Sequence, residues 1–357
     1  PDFIEAWLLL ADVYHYVGQT EAEIASYKKA IEINPAFFPQ VYINLGESEL
    51  HVGQYELATE HLKTARQMQV LASKLKRIDS LLVWANFGVE QMNKPVRFKP
   101  ENMGKNLNSP LHEYWPSLTT DEQMLVFTVR IPTEALTLTG AQAHQEDFYF
   151  SRFIDDTWMP AIPLGKPINS NLNEGAGCIS YDGKRFFFTS CNRPDGVGRC
   201  DLYISVNEAN RWSIPNNMGV PVNSPFNDKQ PSLGPDGKTL FFASNRSGSF
   251  GGMDIWYSVQ TETGQWLAPI NLGPEVNTCL DDESPFIHPD GKTLYFASKG
   301  HVGMGGFDLF LSRKREDGSW SKSENLGYPI NSYLDETGLV INAKGTTAMY
   351  AAEKDNG

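Results

Sequence analysis

Cysteine is scarce in this chain, four in 357 residues. No Cys-x-x-Cys pair or zinc-spaced histidine is present, so neither a zinc module nor a dense disulfide scaffold is expected. Positive charge is also short. Thirty Lys and Arg against 43 Asp and Glu give a net charge of −13, which argues against nucleic acid or an anionic membrane surface as a partner. No apolar run reaches the roughly 18 residues of a membrane-spanning helix, so no transmembrane segment is expected. A Gly-x-Ser-x-Gly elbow, a phosphate loop and a carboxylate pair confined to one place are absent too. His15, His51, His61, His112, His144, His288 and His301 form no motif. The expectation is a chain without enzymatic activity, cofactor or resident metal.

What is present is repetition. Trp158, Trp212, Trp266 and Trp320 stand 54 residues apart, each followed seven residues later by a glycine: Gly165, Gly219, Gly273 and Gly327. A period near 50 built from short alternating strands marks a β-propeller, whose sheets bury both faces only when stacked around an axis. In one copy, Lys229 to Gly234 reads as the innermost strand, Pro235-Asp236-Gly237-Lys238 as a hairpin turn and Thr239 to Ser244 as the second strand. Asp-Gly between apolar runs signals a hairpin because glycine supplies the positive φ that the turn requires. Gly248 to Gly252 leads into a third strand at Asp254 to Ser258, and Trp266 to Gly273 reads as the outer fourth. Asp147, Asp201, Asp254 and Asp308 precede the third strand in successive copies, where holding the glycine-rich loop is the expected role.

The first third repeats with another period. Trp7, Leu10, Ala11, Tyr14, Gly18, Tyr27, Ala30 and Pro35 are echoed 35 residues on by Tyr42, Leu45, Gly46, Gly53, Leu62 and Ala65. Small residues at Ala11 and Gly46 let helices approach closely, and large ones fill the gaps between them. This resembles the tetratricopeptide repeat in two copies, with Glu23 where a small alanine is usual. Helical spacing continues through Leu71, Leu75, Ile78, Leu82 and Ala85 as a third partial unit or cap, ended by Asn93-Lys94-Pro95. The fold class is therefore α+β multidomain, with tetratricopeptide helices over 1–93 and an all-β propeller over 96–357. Pro1-Asp2 and Asp355-Asn356-Gly357 read as cut ends, with further repeats expected upstream.

A propeller needs its seam sealed. Val96 to Gly104 aligns with the fourth strands, Arg97 replacing the tryptophan, and is expected to pair with the last blade. The repeat leaves five blades and six both open.

Each copy also carries Asn-Ser or Asn-Thr at the crossover and an acid five residues after the Asn: Asn108 with Glu113, Asn169 with Glu174, Asn223 with Asp228, Asn277 with Asp282 and Asn331 with Glu336. Two readings stand. The pairs brace a turn through backbone hydrogen bonds, or the five acids converge at the channel mouth and hold a cation or basic ligand. Cys191 and Cys200 flank one blade's second loop, facing each other across the hairpin; a disulfide and two free thiols are both open.

The run Pro-Asp-Gly-Lys-Thr-Leu-(Phe/Tyr)-Phe-Ala-Ser at Pro235 and Pro289, followed by Gly-Gly-x-Asp before the third strand, resembles TolB-type propeller repeats of bacterial envelope proteins. Set behind tetratricopeptide repeats and closed by Trp-x5-Leu-Gly, it looks like the PorE-like OmpA-family lipoproteins of the type IX secretion system. That resemblance implies a non-catalytic periplasmic scaffold with protein partners in a secretion or envelope complex. It implies outer-membrane anchoring in the full-length protein, and peptidoglycan contact only through a domain absent from this sequence. The alternative is a glycan- or peptide-binding propeller using the channel mouth.

Overall fold

The structure is a computed structural model describing residues 3–68, 70–137, 140–209 and 211–352. Both chain ends, on which the cut-end reading rests, and the expected entry into a further strand near Asp355 lie outside the described residues. Two compact units are present. The first contains the helices up to Phe98 together with Val302–Asp308 and Asn325–Asp335; the second contains the rest of the sheets.

Five helices form the first unit: α1 Ile4–Tyr16, α2 Thr20–Ile33, α3 Pro39–His51, α4 Tyr55–Gln67 and α5 Ala72–Asn93. Proline opens α3, where its missing N–H costs nothing. The tetratricopeptide positions do what their sizes predict. Ala11, Tyr27, Ala30 and Leu45 share one core, and Ala58, Leu62, Ala65, Ile78, Leu82 and Ala85 share another. A Cβ at Gly46 would stand 2.7 Å from the Leu62 side chain, and one at Gly88 would stand 2.3 Å from the Tyr55 ring, so both glycines set helix approach. Within the same unit the Tyr55 hydroxyl donates to the Met304 carbonyl at 2.8 Å.

The sheets are a propeller of four complete blades and a fifth, two-stranded sheet. Blade one holds β1 His112–Leu118, β2 Met124–Leu136, β3 Gln142–Ile154, β4 Thr157–Trp158 and β5 Ile162–Pro163. Blade two holds β6 Asn173–Ile179, β7 Arg185–Cys191, β8 Cys200–Glu208, β9 Arg211–Trp212 and β10 Asn216–Asn217. Blade three follows with β11 Asp228–Leu233, β12 Thr239–Ser244, β13 Asp254–Val259 and β14 Ile270–Asn271. Blade four has β15 Asp282–Ile287, β16 Thr293–Ser298, β17 Asp308–Arg313 and β18 Glu324–Asn325, and the last sheet has β19 Glu336–Ile341 and β20 Ala348–Ala352. The inner strands β1, β6, β11, β15 and β19 contact one another in that order, and β19 returns to β1. The insertion of blade one lengthens its hairpin, with Ile131 paired to Gln145 and Leu136 to Gln142.

The four tryptophans occupy equivalent places. Trp158 pairs with Phe153 and Trp212 with Asn207, while Trp266 bridges Gln260 and Trp320 bridges Lys314, each at the end of a third strand. Two of the rings work between blades: Trp266 stands edge-on to Phe187 and Trp320 edge-on to Phe241, each on the preceding blade's second strand. The fourth strand itself is reduced to ladders such as Ile270–Asn271 against Trp256 and Tyr257.

Among the described residues the expected staple does not form. Residues 96–104 have no strand assignment, and within the first unit the Val96 amide donates to the Tyr328 carbonyl at 2.7 Å. A fourth strand pairs with a third, and among the described residues the last sheet has only two strands. Closure is made instead by β19 against β1. A Cβ on Gly338 would come within 2.7 Å of Trp115, and the Asn342 amide donates to the Glu122 carboxylate at 3.2 Å.

Each inner strand is bulged at one place. Trp115, Ala176, Gln230, Ser284 and Gly338 all have positive φ, between 49° and 62°, in a conformation costing a non-glycine residue about 1 kcal/mol. The bulge turns the amide outward across the seam. Ala176 donates to Thr128 Oγ1 at 3.0 Å, Gln230 to Thr189 Oγ1 at 2.9 Å and Ser284 to Gln230 Oε1 at 2.9 Å. A second set runs three residues later, from the amides of Ile179, Leu233 and Ile287 to Ser117 Oγ, Cys178 Sγ and Ser232 Oγ. The local strain is repaid by hydrogen bonds that join neighbouring blades.

Candidate functional site

The crossover asparagines and the acids before the third strand form one polar chain in each of blades two, three and four. In blade two, Asn223 clamps both backbone groups of Leu202, its Nδ2 also donates to Asn217 Oδ1, and Asn217 Nδ2 donates to Asp201 at 2.8 Å. Asn277, Asn271 and Asp254 repeat this in blade three, and Asp308, Asn325 and Asn331 repeat the side-chain links in blade four. Asp254 accepts the amides of Phe250 and Gly251, and Asp308 those of Met304 and Gly305, so these acids hold the glycine-rich loop as the sequence suggests. Asp147 departs from the series: its carboxylate accepts from Gln145 Nε2. Burial pushes the Asp308 carboxyl up to about 6 despite its amide donors.

The five acids after the asparagines are not brought together. Glu174, Asp228, Asp282 and Glu336 are buried in separate sheets, and none of them, nor Glu113, lines the central channel. Glu113 accepts from the Ser109 amide, Glu174 from the amide and hydroxyl of Ser170, Asp228 from those of Ser224 and Asp282 from those of Thr278. Carboxylates spent on a turn in this way brace it. Among the described residues no group of three or more His, Cys, Asp or Glu is placed to hold a metal ion.

The acids differ in what neutralises them. Arg193 lies 3.6 Å from Glu174, and Arg246 pairs with Asp228 at 2.5 Å while donating also to the Val222 carbonyl. The Arg246 guanidinium lies over the rings of Phe242 and Trp256. In blade four His301 takes that place: its Nε2 lies 2.8 Å from the Val276 carbonyl and its ring packs on Phe296 and Phe310. No cation pairs with Asp282 among the described residues, and its buried Oδ1 has no hydrogen-bond partner. Burial drives the Asp282 carboxyl up to about 7, with the Ser298 hydroxyl and the Thr278 donors opposing and Asp254 adding to the rise. Burial also pulls the His301 imidazole below its ordinary value. Glu174 is raised by burial as well, opposed by Ser170, Ser190 and Arg193.

The channel is a cavity of about 80 Å³ lined by the bulged strands, with Trp115, Tyr181, Gln230 and Phe286 among its walls. Two of its polar side chains are engaged with another blade: Trp115 Nε1 donates to Ser284 Oγ of blade four, and Gln230 Nε2 donates across the seam to Glu283 at 2.9 Å.

Cys191 and Cys200 stand directly opposite in the β7–β8 ladder and are joined by a disulfide. In the helices, Glu23 is buried, accepts from the Ser48 hydroxyl at 2.8 Å and faces His15 at 3.2 Å. Glu49, fully buried, meets Lys28 at 3.0 Å and His61 at 2.7 Å. Sequence spacing missed Ser48 and Glu49; the only signal was the oversized Glu23 at a small-residue position, which needs a polar partner on the facing helix.

Residues 4–37 match the tetratricopeptide repeat family. No curated protein matches the chain. Among solved structures, an alpha-L-arabinofuranosidase from Lactobacillus brevis is similar at 14% identity, covering 58% of this chain and 74% of that one with a TM-score of 0.39. A putative glycosidase from Bacteroides thetaiotaomicron is similar at 12% identity over 71% and 95% of the two chains, with a TM-score of 0.41. A Mycobacterium tuberculosis puromycin-hydrolyzing peptidase is similar at 14% identity over 67% and 38%, with a TM-score of 0.36.

Proposed function

We propose that this protein is a non-catalytic scaffold that joins protein partners in the bacterial envelope. The observation that carries this reading is an apolar stripe on α1 that no described residue covers. Leu9, Val13, Tyr16 and Val17 follow helical spacing and are 66, 49, 90 and 54% exposed, a pattern that favours a protein partner over water. A tetratricopeptide unit presents such surfaces without chemistry of its own. The Cys191–Cys200 disulfide supports an oxidising compartment, hence the periplasm. The repeat resemblance extends the reading to an outer-membrane lipoprotein of a type IX secretion complex, with peptidoglycan reached through a domain outside these residues. In a pull-down from envelope extracts, the wild-type chain should retain secretion-machinery subunits and a Leu9→Ser, Tyr16→Ser double variant should lose them. Recovery of soluble sugars alone would count against the reading.

The second reading, a glycan- or peptide-binding propeller, draws on the aromatic walls of the channel, Trp115, Tyr181 and Phe286. Quenching of Trp115 fluorescence by envelope oligosaccharides or peptides, lost in Trp115→Phe, would favour it over the scaffold.

A further inference from the structure

The repeat supplies its own control experiment, since blades three and four are built alike. Arg246 binds Asp228, caps the Val222 carbonyl and covers Phe242 and Trp256. At the equivalent place, 55 residues on and so one past the 54-residue repeat, His301 contacts the Val276 carbonyl and covers Phe296 and Phe310. It keeps the roles of binding a carbonyl and covering two rings, and no His301 contact with the acid is present. Ser244 Oγ accepts from the Arg246 amide and donates to Asp228 at 2.6 Å; Ser298 Oγ accepts from the amides of Gly300 and His301. Among the described residues, Asp282 is thus a fully buried carboxylate with no paired cation and no hydrogen-bond partner on Oδ1.

We propose that Asp282 is a proton-operated latch, in which a bound proton does for the fourth blade what Arg246 does for the third. With the proton on Oδ1, the acid is neutral and can donate to the Ser298 hydroxyl, tying the crossover Asn277–Asp282 to β16. Without it, an uncompensated charge sits between sheets, and the crossover loosens. The groups that set its affinity are named by their positions: the Thr278 amide and hydroxyl from the crossover, the Ser298 hydroxyl from β16, and the Asp254 carboxylate from β13 of the preceding blade. His301 stands in the loop after β16, with Lys322 acting on it from the segment before β18 and Glu275 from the turn after β14.

The sign follows from linkage. A carboxyl whose folded value is raised stabilises the fold at low pH, and this stabilisation is lost as the pH rises through about 7. Thermal unfolding of the whole chain should be followed from about pH 5 to pH 8 for the wild type, Asp282→Asn and His301→Arg. The Asp282→Asn variant, fixed in the neutral form, should gain about 2–4 °C on the wild type at the alkaline end and nothing at the acid end. His301→Arg, restoring the cation, should show the same alkaline gain. Amide exchange at Thr278 should speed up with pH beyond its intrinsic rate in the wild type and not in Asp282→Asn. Parallel stability profiles for the wild type and Asp282→Asn overturn the latch, even where His301→Arg does not fold.

Discussion

Asp308 sets a problem that its side chain alone cannot solve: it must be buried to hold the Met304 and Gly305 amides, yet burial disfavours its charge. Its carboxyl is raised to about 6 from an ordinary 3.8, so its stabilising contribution is full below about pH 4 and lost as the pH passes through about 6. An Asp308→Asn variant gives up one acceptor oxygen, which costs about 1–3 kcal/mol, but carries no buried charge. We expect the variant's deficit in urea unfolding to be largest at about pH 4 and to shrink as the pH rises through about 6. A constant deficit would mean that the carboxyl ionises as freely in the fold as in water. The loop-holding role of this acid series was legible from its place before each third strand. The shortfall at Asp282 was not, because Arg246 and His301 stand at positions differing by one in the repeat, and only folding brings them to the same rings.

Blades and helices declare themselves through large residues, while seams declare themselves hardly at all. The tryptophan ruler and the Asp-Gly hairpins fix strand order because indoles and turns have strict spatial demands. The left-handed bulges at Trp115, Ala176, Gln230 and Ser284 left no such trace, since none of these side chains favours positive φ; only Gly338 does. The staple expected at residues 96–104 misled for the opposite reason: a fourth-strand sequence needs a third strand beside it. The seam between β19 and β1 can be probed with glycines. Gly338→Ala would set a Cβ against Trp115 at φ +62°, whereas Gly183→Ala, at φ +68°, meets nothing within 4 Å. We expect the second to cost about 1 kcal/mol from backbone strain alone and the first about 2 kcal/mol more, read by urea unfolding. Equal costs would show that Gly338 does not close the ring.

For the whole molecule, two repeat architectures carry surfaces more than chemistry. The tetratricopeptide spacing announced the helical unit, and composition made nucleic acid an unpromising partner, but an exposed stripe such as Leu9, Val13, Tyr16 and Val17 needs coordinates to separate it from core. Spacing cannot say which apolar face is left uncovered. The most direct test of the scaffold role is photo-crosslinking in intact cells from a probe at Tyr16, with the products identified by mass spectrometry. The scaffold account predicts a defined envelope protein joined at Tyr16 and not from a control probe at Gly264, in a turn of blade three. No protein adduct, or the same products from both probes, would contradict it.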